Sequence, residues 1–261
     1  MSYSGNPGFL ARTGIGAACV RIGMNRPSTP EGDPDAQKLL CAELLPSLVR
    51  RPHIIARTRF IDAQVLAAVT GTIPQVVLCA AGYDDRAVRF WSPGVRFFDV
   101  DHPAVHADKG ARLRAIADVP GSLVPVPADL RSDDIARALD SADHDAARPS
   151  LFVCEGLLVY LHQTAIERLL AGLRSSAAAG SVLAASLAVH PEGLHSGRVT
   201  AAANARPRPA GGEPWRTILP ESGWLRLLAA TGWRASSLVD AASLEPSAPE
   251  GTSLLLVAAP V

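Results

Sequence analysis

Lysine is nearly absent from this sequence. Lys38 and Lys109 are the only two among 25 basic side chains, and the rest are arginine. These cations balance 25 acids, so the formal net charge is zero, and no basic stripe breaks the balance. A surface built for nucleic acid carries a basic excess, so that partner class is set aside. Cysteine is scarce and scattered. Cys19, Cys41, Cys79 and Cys154 form no Cys-x-x-Cys pair and adjoin no histidine cluster, so no metal site is expected. No apolar run reaches the roughly 18 residues that a spanning helix needs. The opening MSYSGNPGFLARTG lacks the apolar stretch of a signal peptide. A soluble, cytoplasmic chain with no membrane partner is therefore expected. Gly-x-Gly-x-x-Gly and Gly-x-Ser-x-Gly are also missing, which counts against a dinucleotide oxidoreductase and a serine hydrolase.

What is present is a large apolar fraction, 48% of 261 residues, enough for one sizeable α/β domain. Residues 1–70 read as a helical cap. In DPDAQKLLCAELL, Asp33 is the expected N-cap with Pro34 at the first helical position. Residues 53–70 place Ile54, Ile61, Val65, Leu66 and Val69 on one helical face. From residue 75 to 189 short apolar runs alternate with helical patterns. The runs are QVVLCA, VRFFDV, SLVPVP, SLFVCE and SVLAASLAV. Helices are expected over 106–116, 132–139 and 163–173. Continuous apolar strands separated by helices imply a parallel sheet covered on both faces. Residues 215–261 add a helix over 223–230 and two strands, around 234–238 and 253–257, joined as an antiparallel hairpin. Residues 190–214 are too long and irregular for a plain connection and are expected to form a lid.

In such sheets the ligand lies at the carboxyl ends of the strands. The first run ends at Ala80-Ala81-Gly82, small residues that let a ligand approach the backbone, and Gly82 can take φ values closed to other residues. The second ends at Asp99, Asp101 and His102. Asp101 follows Gly82 by 19 positions, the usual spacing of an acid that binds a ribose diol. The third is followed by Asp129-Leu130, an acid able to accept from an adenine amino group. The fourth ends at Glu155-Gly156. Acids gathered at one sheet edge repel one another unless a ligand compensates them, and a nucleoside bearing a cation would do so. Asp84 is placed to cap the next helix, and Arg86 and Arg89 to pair with the edge acids.

The blocks HIIARTRFID, QVVLCAAGYDDRAVRF, FFDVDHPAVHADKGARL, VPADL and LFVCEGLLVYL, in this order, resemble the leucine carboxyl methyltransferase family. The likeness runs from about Gly16 to Asp240. It is nearest to bacterial members that include polyketide O-methyltransferases. The resemblance implies a Rossmann-like class I methyltransferase fold, a seven-stranded, mostly parallel sheet with its last strand antiparallel. It also implies S-adenosylmethionine as methyl donor and S-adenosylhomocysteine as product. Arg57 resembles the residue that meets the donor's carboxylate, with Arg59 two positions on as its rival. Ala80, Ala81 and Gly82 match the methionine wall, Asp101 and His102 the ribose region, Asp129 and Leu130 the adenine pair, and Glu155 and Gly156 the methionyl amino end. One departure stands out: Ala80 replaces a family glycine.

The implied activity is O-methylation of a carboxylate or hydroxyl on a small natural product or a peptide terminus. A carboxylate acceptor is already ionised, whereas a hydroxyl wants a base. Tyr160 and His190 are the candidate catalytic groups. Arg198, Arg206 and Arg208 in the lid are candidates for gripping a carboxylate. The alternatives are C- or N-methylation on the same scaffold, or a non-catalytic regulatory protein in which Ala80 closes the donor pocket. Cys79, Cys154 and Trp233 read as packing. Oligomeric state is left open.

Overall fold

The computed structural model describes residues 7–41, 51–114, 121–205 and 213–261. Seven strands form one sheet in the order β3-β2-β1-β4-β5-β7-β6. They are β1 (Gln75–Cys79), β2 (Arg96–Asp101), β3 (Leu123–Pro127), β4 (Ser150–Cys154), β5 (Val182–Ala188), β6 (Trp233–Asp240) and β7 (Ser253–Pro260). Strands β1 to β5 pair in parallel, while β7 runs antiparallel to both β5 and β6. The chain reverses direction in strand order at β1, which has β2 on one side and β4 on the other. That is where a crevice opens at the carboxyl edge.

The period-2 pattern of the strands divides the core into two layers. Val77 and Cys79 join Phe98, Phe152, Leu170 and Trp233 on one face, and Val76 and Leu78 join Ile61, Val65, Phe97 and Leu151 on the other. Both tryptophans of the first layer satisfy their indole N–H on backbone oxygens, Trp233 on Leu170 and Trp224 on Ala188, each at 2.9 Å. The four cysteines are buried and unpaired, as packing residues are.

The helices are α1 (Pro7–Ile22), α2 (Ala36–Leu40), α3 (Pro52–Thr70), α4 (Arg86–Arg89), α5 (Pro103–Leu113), α6 (Ile135–Asp140), α7 (Gln163–Ser175), α8 (Ser196–Ala205), α9 (Glu221–Ala230) and α10 (Ala241–Leu244), with a 3₁₀ turn at Leu158–Tyr160. Three boundaries differ from the sequence expectation for identifiable reasons. Asp33 does not cap α2. Its carboxylate accepts from the Asp35 N–H at 2.7 Å and shapes the preceding turn, so the helix begins at Ala36. The second half of that expected helix lies outside the described residues. Helix α5 starts at Pro103 because His102 caps it, Nδ1 accepting from the Ala104 N–H. Helix α6 starts late because Asp134 caps Ala136 and Arg137. The expected irregular lid contains α8, whose alanine-rich TAAANA favours helix although none of its residues is buried. Arg198 is exposed on α8, and Arg206 and Arg208 lie outside the described residues.

Candidate functional site

A cavity of about 140 Å³ lies at the carboxyl ends of β1 to β4. Its floor is Ala80-Ala81-Gly82. Both Ala80 and Gly82 have φ of +52°, so the chain turns through the left-handed region twice in three residues. Asp101 closes the side. Its Oδ2 accepts from the Gly82 N–H at 2.6 Å and its Oδ1 from the His102 N–H at 2.7 Å. Burial raises the Asp101 carboxyl above its ordinary value, against the pull of these two N–H groups. Each Asp101 oxygen keeps one lone pair, so two acceptor positions remain.

The opposite end is built from charges. Glu155 receives Arg21 Nη2 at 2.9 Å, Arg57 Nε at 3.0 Å and Arg86 Nη1 at 2.6 Å. Burial pushes this carboxyl up, but the three guanidiniums outweigh it and hold it far below the usual carboxylate range. Behind it, Arg86 also binds Asp62 at 2.7 Å and Asp84 at 2.6 Å, Arg26 bridges Asp62 and Asp85, and Arg89 joins Asp85 at 2.6 Å. Among the described residues this network holds five arginines and four acids. Arg57 stands at the cavity wall with spare donors: only its Nε is used, and Nη1 and Nη2 donate to no other described residue, while Arg21 on the same wall binds Glu155 through Nη2 and leaves its Nε without a partner among the described residues. A Cβ on Gly156, where φ is +62°, would stand 2.8–2.9 Å from that guanidinium. Glycine is therefore what lets Arg57 reach Glu155.

The third wall carries Asp129, Leu130 and Arg131. Arg131 binds Asp129 with a fork, Nε to Oδ1 at 2.9 Å and Nη2 to Oδ2 at 2.8 Å. That hydrogen bonding lowers the Asp129 carboxyl against the effect of burial. Tyr160, on the 3₁₀ turn, lines the cavity beside Leu157 and Leu161.

A sequence model of the leucine carboxyl methyltransferase family matches residues 31–174, more than half of the chain. The chain belongs to the leucine carboxyl methyltransferase family. A Streptomyces coelicolor relative, provisionally named an S-adenosyl-L-methionine-dependent methyltransferase, is 39% identical over 189 residues, covering 70% of this chain and 62% of that protein. A similarly named Streptomyces avermitilis protein is 37% identical over 188 residues, covering 70% of this chain and 63% of its own length. The chain thus spans less than two thirds of these relatives. A Thermobifida fusca crystal structure, provisionally described as a methyltransferase, superposes with a TM-score of 0.61 over 99% of both chains at 19% identity, which shows the shared fold. The seven-stranded Rossmann-like sheet of this family member is the one its sequence implied.

Eleven of the thirteen candidate site residues are brought to the cavity: Arg57, Ala80–Gly82, Asp101, His102, Asp129, Leu130, Glu155, Gly156 and Tyr160 all stand on its wall. Two do not. Arg59, two helical positions beyond Arg57, points away and binds Glu245 at 3.2 Å and the Leu244 carbonyl at 3.3 Å. His190 follows β5 but turns from the cavity. Its Nδ1 lies 2.8 Å from the Pro191 oxygen and its Nε2 2.9 Å from Ser196 Oγ at the start of α8. Both ring nitrogens are thereby committed to anchoring the connection. The cavity also takes Gly14, Ala17 and Arg21 from α1, and Arg131 and Glu213, none of which the sequence singled out. The signal in α1 was a stripe of small residues ending in arginine at helical spacing.

Proposed function

We propose that this protein is an S-adenosylmethionine-dependent methyltransferase that methylates a carboxylate, or a hydroxyl, of a small natural product or peptide terminus. The observation that carries the reading is the pairing, in one cavity of a leucine carboxyl methyltransferase family member, of a two-acceptor Asp101 with an arginine-rich pole. The residues fit the donor chemically. Asp101 offers one free lone pair per oxygen for two ribose hydroxyls. Asp129 offers an acceptor for the adenine amino group. The spare donors of Arg57 and the positive excess of its network suit an amino-acid carboxylate.

S-adenosylmethionine supplies a methyl group activated by its sulfonium, so the protein's task is alignment and exclusion of water. Helix α1 contributes the cover. Gly14 lies so close to the floor that a Cβ there would stand 3.5 Å from Gly82 Cα. Arg57, Asp101 and Asp129 would fix three separated points of the donor and thereby its orientation. A carboxylate acceptor is favoured because it needs no proton removed, and His190 stands away from the cavity. Tyr160 remains the polar group best placed to orient the acceptor. Arg198 is exposed on α8, so the acceptor's grip is not assigned to it.

The test is calorimetric titration with S-adenosylhomocysteine, beside an Asp101→Ala variant, followed by mass spectrometry of carboxylic acids incubated with the methyl donor. Binding lost in the variant and a product heavier by one CH₂ support the reading. Absence of binding in the folded wild-type protein refutes it.

A further inference from the structure

Asp129 is expected to meet the adenine amino group, yet its carboxylate is already heavily bound. Oδ1 accepts twice from Arg131, from its backbone N–H at 3.0 Å and from Nε at 2.9 Å. Oδ2 accepts once, from Arg131 Nη2 at 2.8 Å. A carboxylate oxygen has two acceptor positions. Oδ1 is therefore saturated, and one position remains, on Oδ2. The arginine itself is held by its own backbone: the Arg131 carbonyl accepts from Arg168 on α7, and the Asp129 N–H donates to Asp133 at 2.8 Å. Both Asp129 and Arg131 stand on the cavity wall.

Resting on the donor reading above, we infer that Arg131 is a positioning residue that makes the adenine subsite selective for a 6-amino purine, by fixing the Asp129 carboxylate so that a single hydrogen-bond acceptor faces the base. A free carboxylate in a partly exposed site rotates about its Cβ–Cγ bond, takes up a proton more readily, and accommodates either a donor or, once protonated, an acceptor. The fork removes both freedoms. It fixes rotation through two parallel bonds and keeps the carboxylate ionised, hence acceptor-only. A base carrying an oxygen at position 6 would then set an acceptor against an acceptor. A lysine has no fork, so the arrangement is specific to arginine.

The experiment measures the Kd of S-adenosylhomocysteine and of its deaminated counterpart, S-inosylhomocysteine, for wild type, Arg131→Met, Arg131→Lys and Asp129→Ala. Thermal unfolding confirms that each variant is folded; Arg131 is surface-accessible, with a side chain 45% exposed. Wild type is expected to prefer the amino compound by about 100-fold, Arg131→Met by about 10-fold or less, and Arg131→Lys by a ratio between the two. A merely structural arginine would change both affinities together and leave the ratio alone, so an unchanged ratio in folded Arg131→Met overturns the inference. If Asp129→Ala also keeps the wild-type ratio while binding persists, the adenine does not face Asp129 and the inference falls with that placement. If wild type binds neither compound, it is the donor reading itself that fails.

Discussion

Replacing Ala80 by glycine is expected to stabilise the protein and tighten donor binding, both for local reasons. Ala80 has φ of +52°, the left-handed region, where glycines hold almost all other such positions among the described residues. An L-residue there costs about 1–2 kcal/mol. Glycine would relieve that strain but brings its own unfolded-chain freedom, costing about 0.5–1 kcal/mol. Ala80 is only partly buried against the first core layer, so losing its methyl forfeits about half of the ~0.8 kcal/mol of a buried carbon. The balance is about 0.5 kcal/mol in favour of glycine, a rise of roughly 1–2 °C in the unfolding midpoint for a chain of this size. The same methyl lines the cavity floor, so the Kd of S-adenosylhomocysteine should fall by about 2- to 10-fold as the wall recedes. Differential scanning calorimetry and isothermal titration read the two effects on one preparation. A lower midpoint for Ala80→Gly would show that packing of the methyl outweighs the backbone strain and would sink the argument. Unchanged affinity would show that the donor does not approach this wall.

Gly156→Ala places a Cβ within 2.8–2.9 Å of the Arg57 guanidinium at a φ of +62°, so Arg57 should be displaced and S-adenosylhomocysteine binding weakened by about 10-fold or more, with about 2 kcal/mol of stability lost, read by titration and urea unfolding. Arg57→Met should weaken the same binding about 10-fold or more, whereas Arg59→Met, on the outer side of α3, should leave it within about 2-fold; equal effects would mean that the helix is read in the wrong rotation. Acid should destabilise the protein through the charge network. Burial alone would raise Asp85, but Arg26 and Arg89 bring its carboxyl down to about 2, and Glu155 is depressed as well. A depressed acid stabilises the fold above its unfolded value near 4 and loses that contribution as pH falls through the folded value. Urea midpoints should therefore drop between about pH 4.5 and 2, by on the order of 2 kcal/mol for Asp85. Flat midpoints across that window would mean the network is not formed.

The sheet was legible because its strands are buried on both faces and read as unbroken apolar runs; QVVLC and SLFVC are buried at every position. The meeting of Gly82 and Asp101 was legible because a glycine turn and an acid end two adjacent parallel strands, joined by a short crossover through α4. The rest depended on contacts that no spacing encodes. Arg21 meets Glu155 across 134 residues, through a helix that folds over the sheet edge. Glu213 reaches the cavity from beyond α8, where burial raises its carboxyl against the pull of Arg131 and Arg216. His190 was placed correctly at the end of β5 but on the wrong side, because the direction of its ring is set by Ser196 and the first turn of α8. Arg86 pairs with the edge acid Glu155 as expected, whereas Arg89 pairs with Asp85, four residues before it, and not with the sheet edge. Their depth was not foreseeable, since Arg86 is fully buried and needs Asp62 from α3 to be so.

That depth bears on what Glu155 does. Two guanidiniums fill Oε2 and one occupies Oε1, leaving a single acceptor position on Oε1. The side chain is therefore chiefly the anchor that holds Arg21, Arg57 and Arg86 in register, with one lone pair left over. Burying so many charges is poor economy for stability, since desolvation offsets most of the attraction. A rigid, pre-aligned guanidinium at the cavity wall is the gain. Glu155→Gln tests this. It leaves five arginines facing three acids, so the fold should lose on the order of 3 kcal/mol. Arg57 is then no longer aligned, so S-adenosylhomocysteine should bind about 10-fold more weakly and raise the unfolding midpoint less than it does in wild type. Full wild-type affinity in a destabilised Glu155→Gln protein would show that Arg57 finds its place without Glu155, and that the anchor role is wrong.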